Sequence, residues 1–107
     1  MAKKKRGRTK TEELDPAMLE RASRTLRTLA HPVRLKMVEI LIEEPVSVGD
    51  LAEAVNLPPA AVSQHLGLMR ANRVVQGKRR GRQMYYEVVS PQAHYLIDCL
   101  RTHASEI

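Results

Sequence analysis

The sequence predicts a mainly α-helical fold of five helices carrying a β-hairpin wing. Three observations lead there. Apolar residues recur at helical spacing in five segments. Two of those segments are short and meet across the tight break Asn56-Leu57-Pro58, a helix-turn-helix pattern. The period then falls to two on either side of a basic, glycine-bearing turn.

Taken in order, Asp15 before Pro16 is an N-cap followed by proline at the first helical position. The first helix then runs to Leu29, with Leu19, Ala22, Leu26 and Leu29 on one stripe. His31-Pro32 repeats the start signal. The second helix reaches Glu44, turns Val33, Met37, Ile40 and Leu41 inward, and stops at Pro45. Ser47-Val48-Gly49-Asp50 resembles a capping box with Asp in place of the usual Glu or Gln. It opens a third helix to Val55 that buries Val48, Leu51, Ala52 and Val55. Pro59 begins a fourth helix to Ala71, with Val62, Leu66 and Met69 facing in. Strands over 74–78 and 83–89 flank Arg79-Arg80-Gly81-Arg82, where Gly81 supplies the positive φ of a tight hairpin. Tyr85 and Tyr86 alternate faces, one of them toward the core. Ser90-Pro91 starts a last helix to Ser105, with Ala93, Leu96, Ile97, Leu100 and Ala104 on its apolar face. Residues 1–14 are rich in Lys, Arg and Thr and read as a flexible basic arm; residues 15–107 read as one domain.

Composition narrows the function. A chain of 107 residues is one domain's worth and excludes a large multi-domain enzyme. No apolar run is long enough to span a membrane, and no apolar segment follows the basic start, so neither a membrane anchor nor a secretory signal is expected. The single cysteine, Cys99, excludes an intrachain disulfide framework and fits a reducing cytoplasm. Trp and Phe are absent, so the core is built from Leu, Val, Ile, Met and Ala. A domain this small buries a modest fraction of its surface, which a second copy would supplement. The chain holds 18 Lys and Arg against 12 Asp and Glu, a net charge of +6. Lys3, Lys4, Lys5, Arg6, Arg8 and Lys10 form one cluster, and Arg70, Arg73, Lys78, Arg79, Arg80 and Arg82 a second. No acidic residue stands between Glu53 and Glu87. A stretch of one sign is a surface for a polyanion, and double-stranded DNA is the expected partner.

The chain resembles the ArsR–SmtB family of winged-helix repressors. Three passages carry the likeness: Leu26-Arg27-Thr28-Leu29-Ala30-His31-Pro32-Val33-Arg34-Leu35; Asp50-Leu51-Ala52 through Val62-Ser63-Gln64-His65-Leu66; and Arg73-Val74-Val75 through Gly81-Arg82-Gln83-Met84-Tyr85-Tyr86. The resemblance implies a homodimer joined through the first and last helices, bound to an imperfect inverted repeat and repressing transcription from the nucleoid. In this chain the implied seam falls on Leu19, Leu26, Leu96, Ile97 and Leu100. Pro58 replaces the family's usual capping Ser or Thr, and Arg73 stands where many members have Gly, with Asn72 nearby as a residue that tolerates the left-handed conformation.

In helix-turn-helix proteins the second helix enters the major groove. With Val62, Leu66 and Met69 inward, 100° per residue sets Ala60, Gln64, Gly67 and Ala71 outward, with Ser63 on a flank. Gln64 has the paired donor and acceptor that read a base, adenine best. Ala60 fits a thymine methyl, and Gly67 lets the helix sit close. Ser63 and Arg70 are assigned to phosphates. His65 turns partly inward, toward packing or a phosphate. Lys78, Arg79, Arg80 and Arg82 form the wing tip, which enters a minor groove or clamps its phosphates, as the turn register decides. The arm adds sequence-independent affinity or serves solubility.

No enzyme motif stands out and no cofactor is expected. The family's thiol site would fall on Val46-Ser47-Val48-Gly49, which has no cysteine. Its other metal site would pair Ser90-Pro91-Gln92, which lacks ligands, with His103 and Glu106. His94 and Asp98, and Cys99 and His103, share i, i+4 spacing on opposite flanks of the last helix and converge only across a dimer. The simpler account is surface polar residues beside a half-buried cysteine. Any small effector is left unnamed. The alternative function is a sequence-tolerant architectural DNA-binding protein.

Overall fold

The computed structural model describes residues 13–107; most of the basic arm expected over residues 1–14 therefore lies outside the described residues. The elements in chain order are α1 (Pro16–Leu29), α2 (Pro32–Glu43), β1 (Val46–Ser47), α3 (Val48–Val55), α4 (Pro59–Ala71), β2 (Val75–Arg80), β3 (Gln83–Val88) and α5 (Pro91–Thr102), with a closing 3₁₀ turn, Ala104–Glu106. Side chains cap four of the five helices. Asp15 Oδ1 accepts from the Met18 N–H at 2.8 Å, and His31 Nδ1 from the Val33 N–H at 3.1 Å. Ser47 Oγ accepts from Asp50 N–H and Ser90 Oγ from Ala93 N–H, each at 3.2 Å. The fourth helix has no side-chain cap: Pro58 holds the cap position and Pro59 removes one of the orphan N–H groups outright.

Helices α3 and α4 both end in Schellman turns. After α3 the Leu57 N–H reaches the Ala52 carbonyl at 3.1 Å and the Asn56 N–H the Glu53 carbonyl at 3.3 Å, with Asn56 at φ 58°. After α4 the Val74 N–H reaches the Met69 carbonyl at 2.8 Å and the Arg73 N–H the Arg70 carbonyl at 3.0 Å. The left-handed residue there is Arg73, φ 61°, and not the neighbouring Asn72, which sits at φ −100°. The motif decides this. Val74 is fully buried against Met69, so the residue before Val74 must take the left-handed turn. Asn72 instead donates its side-chain amide to the Leu68 carbonyl at 2.9 Å.

The three strands form an antiparallel sheet in the order β1-β3-β2. The strands differ from the expected 74–78 and 83–89: β2 starts one residue later and runs two further toward the tip, β3 ends one residue earlier, and the loop is shorter. Both Arg79 and Arg80 lie on β2, and Gly81-Arg82 alone make the turn. Positive φ at Gly81 and not at Arg82 marks a type II′ turn, whose twist matches the strands. Strand β1 was not foreseen. Two residues after a proline, the second of them the cap of α3, carry no periodicity, and the pairing of Val46 with Tyr86 is made 40 residues away along the chain.

The core gathers Leu29, Met37, Val38, Leu41, Leu51 and Ala52 from the first three helices. Val62, Leu66 and Met69 enter it from α4, Val74 and Val75 from the approach to the wing, and Ala93 and Ile97 from α5. Three expectations change here. Ile97, assigned to a seam between copies, is 4% exposed within the single chain and belongs to its own core, with Leu96 and Leu100 packed partly against it. Cys99 is exposed rather than half-buried. The last helix ends at Thr102 with His103 as its cap residue, short of the expected Ser105. On α1, Leu29 is buried while Leu19 and Leu26 are 47% and 57% exposed.

A non-glycine residue in the left-handed region costs about 1–2 kcal/mol, part of which glycine returns as greater freedom in the unfolded chain. Arg73→Gly is therefore expected to raise unfolding stability by about 0.5–1 kcal/mol in urea titration.

Candidate nucleic-acid interface

The burial of Val62, Leu66 and Met69 fixes the rotation of α4. Their exposures are 0%, 1% and 0%, and the opposite face is open to solvent. Ala60, Ser63, Gln64, Gly67, Arg70 and Ala71 are all exposed there, as the helical spacing required. Gln64 is the only one of the six with both a donor and an acceptor on a planar amide. Gly67 stands mid-helix, where glycine is destabilising by about 1 kcal/mol relative to alanine. Nothing in the protomer asks for it: a Cβ built at Gly67 would meet no atom within 4 Å.

The wing's register sorts its side chains. Val75, Gly77 and Arg79 of β2 share a face with Met84, Tyr86 and Val88 of β3. This face turns to the core at its base, where Tyr86 and Val88 pack against the buried cluster. Gly77 leaves room for the Tyr86 ring there, since a Cβ would stand a tight 3.1 Å from it. The other face carries Gln76, Lys78 and Arg80 opposite Glu87, Tyr85 and Gln83. Its charges are engaged. The Gln76 amide donates to Glu87 Oε2 at 2.6 Å, Lys78 Nζ lies 3.3 Å from the same oxygen, and the Arg80 guanidinium rests 5.1 Å from the Tyr85 ring centre. The Gln76 and Lys78 hydrogen bonds hold the Glu87 carboxyl below the ordinary carboxylate range. Arg79 and Arg82 are exposed and have no ion pair among the described residues.

One polar contact on α4 was not anticipated. The Arg34 Nε–H donates to His65 Nδ1 at 3.1 Å, and Arg34 Nη1 donates to the Thr28 carbonyl at 3.0 Å. The His65 and His31 rings meet edge to face, 4.9 Å between centres. Burial first, then the Arg34 and His31 charges, lower the His65 pKa from the ordinary imidazole value. The sequence held one clue to Arg34: a cation in the first turn of a helix opposes the helix dipole and needs a separate reason.

The candidate metal ligands do not converge. His94, Asp98 and Cys99 are exposed on α5, and His103 Nδ1 lies 3.2 Å from Glu106 Oε1. Among the described residues no three His, Cys, Asp or Glu side chains are grouped to hold a metal ion. The donors of one chain do not fit a closed site, which takes four ligands.

A bare helix face beside a basic hairpin is the geometry of a DNA-reading winged helix. The family profile described as bacterial regulatory protein, arsR family, matches residues 31–76. The chain is 36% identical to the biofilm growth-associated repressor of Xylella fastidiosa over 77 residues, 72% of this chain and 68% of that one. It is 36% identical to the transcriptional repressor PagR of Bacillus anthracis over 83 residues, 77% of this chain and 83% of that one. The chain belongs to the arsR family of bacterial regulatory proteins. The crystal structure of PagR superposes with a TM-score of 0.74 at 34% identity, covering 80% of this chain and 99% of PagR. That of NolR from Sinorhizobium fredii gives 0.73 at 32% identity, covering 84% and 93%. This arsR-family protein is a winged helix-turn-helix, DNA-binding transcription regulator. No helix among its described residues is long and apolar enough to cross a membrane.

Proposed function

We propose that this arsR-family regulator is a repressor that binds an imperfect inverted repeat as a homodimer, each copy laying α4 in the major groove. Its work is then at the nucleoid, in the cytoplasm. The observation that carries the reading is the exposed outer face of α4, where Ala60, Gly67 and Ala71 leave Gln64 as the one planar amide, flanked by Ser63 and Arg70. Gln64 reads a base edge, Ala60 lies over a thymine methyl, and Gly67 gives the helix room to approach. Ser63 and Arg70 bind phosphates on either side. Residues 15–107 serve as one DNA-binding and dimerisation domain, to which the basic residues of the arm add sequence-independent affinity.

Within the wing tip the roles divide. Arg79 and Arg82, without an ion pair among the described residues, reach the minor groove or its phosphates. Lys78 and Arg80 stiffen the hairpin through Glu87 and Tyr85 and add to the field. The exposed leucines of α1, Leu19 and Leu26, supply apolar area for a second copy, with Leu96 and Leu100 of α5. The α5 donors His94, Asp98, Cys99, His103 and Glu106 have no assigned ligand, and no effector is required by the reading.

Selection from a random duplex library at about 0.15 M salt weakens sequence-blind binding and tests this directly. Enrichment of an inverted repeat with half-sites about one helical turn apart supports the dimeric repressor. Tight binding with no enriched sequence favours an architectural protein, a role that a face with a single base-reading side chain would also allow. On the selected duplex Gln64→Ala is expected to lose about 1–3 kcal/mol, and little on random DNA, by fluorescence anisotropy.

Gly67→Ala separates stability from binding. The free protein should gain about 1 kcal/mol in denaturant titration, while affinity for the selected duplex falls. For the wing, Arg79→Ala and Arg82→Ala should each lower the slope of log affinity against log salt by about one. The same change at Lys78, already neutralised in part by Glu87, should lower it less.

A further inference from the structure

Apolar burial of Val62, Leu66 and Met69 keeps α4 on the protomer, but apolar contacts are non-directional. The directional contact is made one residue after Gln64. Arg34, the third residue of α2, is fixed by its Nη1 on the Thr28 carbonyl in the last turn of α1, and its Nε–H holds His65 Nδ1. A guanidinium at the positive end of α2 is electrostatically adverse by about 0.3–1 kcal/mol. The α1 carbonyl offsets that, and the geometry leaves the second arm of the fork free for α4. We propose that Arg34 is a positioning residue for DNA reading: it fixes α4 through a neutral His65, so that the adjacent Gln64 faces the base edges. The inference rests on the reading that Gln64 contacts bases.

The neutral ring follows from donor and acceptor chemistry. Arginine stays protonated and has no acceptor. Its Nε–H therefore needs the Nδ1 lone pair of His65, which leaves the ring proton on Nε2. A protonated His65 would turn a second N–H toward Arg34 and set two like charges about 3 Å apart, which breaks the contact. The charged and titratable groups acting on His65 are Arg34 and His31, both at the start of α2. The end of α1 contributes the uncharged Thr28 carbonyl. His31 Nδ1 is itself committed as the α2 cap. Since His65 binds its proton less readily folded than unfolded, the arrangement is fully favoured above the ordinary histidine value of about 6.5. It is lost as pH falls from there through the lowered folded value.

The test uses the full chain, the selected duplex and a random duplex at fixed salt, at pH 8.0 and at a pH about one unit below the His65 midpoint read by NMR in the DNA-free protein. The readout is the ratio of the two affinities, because protonating any histidine strengthens binding to both duplexes. Gln64→Ala, run alongside, establishes the base reading by losing the preference at both pH values. In the wild type the ratio is expected to fall about tenfold on acidification, the equivalent of one charge-assisted hydrogen bond. Asparagine Oδ1 can take the place of imidazole Nδ1 as an acceptor that does not titrate. His65→Asn is therefore expected to keep the ratio at pH 8.0 and hold it at the lower pH. Arg34→Met should show the low ratio at both. In the DNA-free protein, the His65 Cε1–H titration followed by NMR should have its midpoint below the ordinary value and move up in Arg34→Met. With the preference established through Gln64→Ala, a wild-type ratio that does not change with pH overturns the role of Arg34. A His65→Asn protein that keeps the wild-type pH dependence, or a His65 midpoint unmoved by Arg34→Met, overturns it as well.

Discussion

The rest of the molecule depends on how α4 is rotated about its own axis. Val62, Leu66 and Met69 lock into a core with no Trp or Phe, so that the opposite face is presented to solvent. The same stripe sets the start of the wing. Met69 and Val74 pack together across the turn that ends α4, and the Val74 carbonyl accepts from the Val89 and Ser90 N–H groups where β3 gives way to α5. The outer face of α4, the root of the hairpin and the start of the last helix are thus fixed by one contiguous set of contacts. A change in the packing of Met69 or Val74 would be felt at all three, because close-packed interiors transmit small displacements.

Local rules are broken at three places, and all three touch α4. Gly67 interrupts it without any packing reason, Arg73 takes a left-handed turn at its end, and Arg34 sets a cation at a helix N-terminus in order to touch His65. Such conflicts concentrate where a structure serves something besides its own stability. Arg73 is explained within the protomer, by the Schellman turn and the burial of Val74. Gly67 is not: a Cβ there would meet nothing in the protomer, which agrees with the proposed close approach of α4 to DNA.

The charge count overstates what the wing can offer. The acid-free stretch before Glu87 suggests that every basic residue in it is free, yet Glu87 pairs with Gly77's neighbours on the outer face of the hairpin and engages Lys78 directly. Arg80 lies over Tyr85. Exposed ion pairs of this kind contribute little stability, about 0–1 kcal/mol, but they order long side chains. The hairpin then presents two arginines, Arg79 and Arg82, that have no ion pair among the described residues, on a stiffened frame.

Much of this was legible in order of appearance. The helices, the inward stripe of α4, the missing cap at Pro58 and the positive φ of Gly81 each follow from short-range rules: a 3.6-residue period, a proline's missing N–H, a glycine's missing Cβ. The outward face of α4 followed too, since a helix with a known inner stripe has a known outer one. The tertiary structure decided what depends on partners distant in sequence. It added β1, paired across to β3; it placed Ile97 in the protomer core rather than at a seam; it chose Arg73 over Asn72 for the left-handed turn; and it divided the wing cations into engaged and free. It also joined Arg34 to His65 across 31 positions. Periodicity records which way a residue faces along its own element. Which atoms it meets there is set by the packing of the other elements, and no local pattern carries that information.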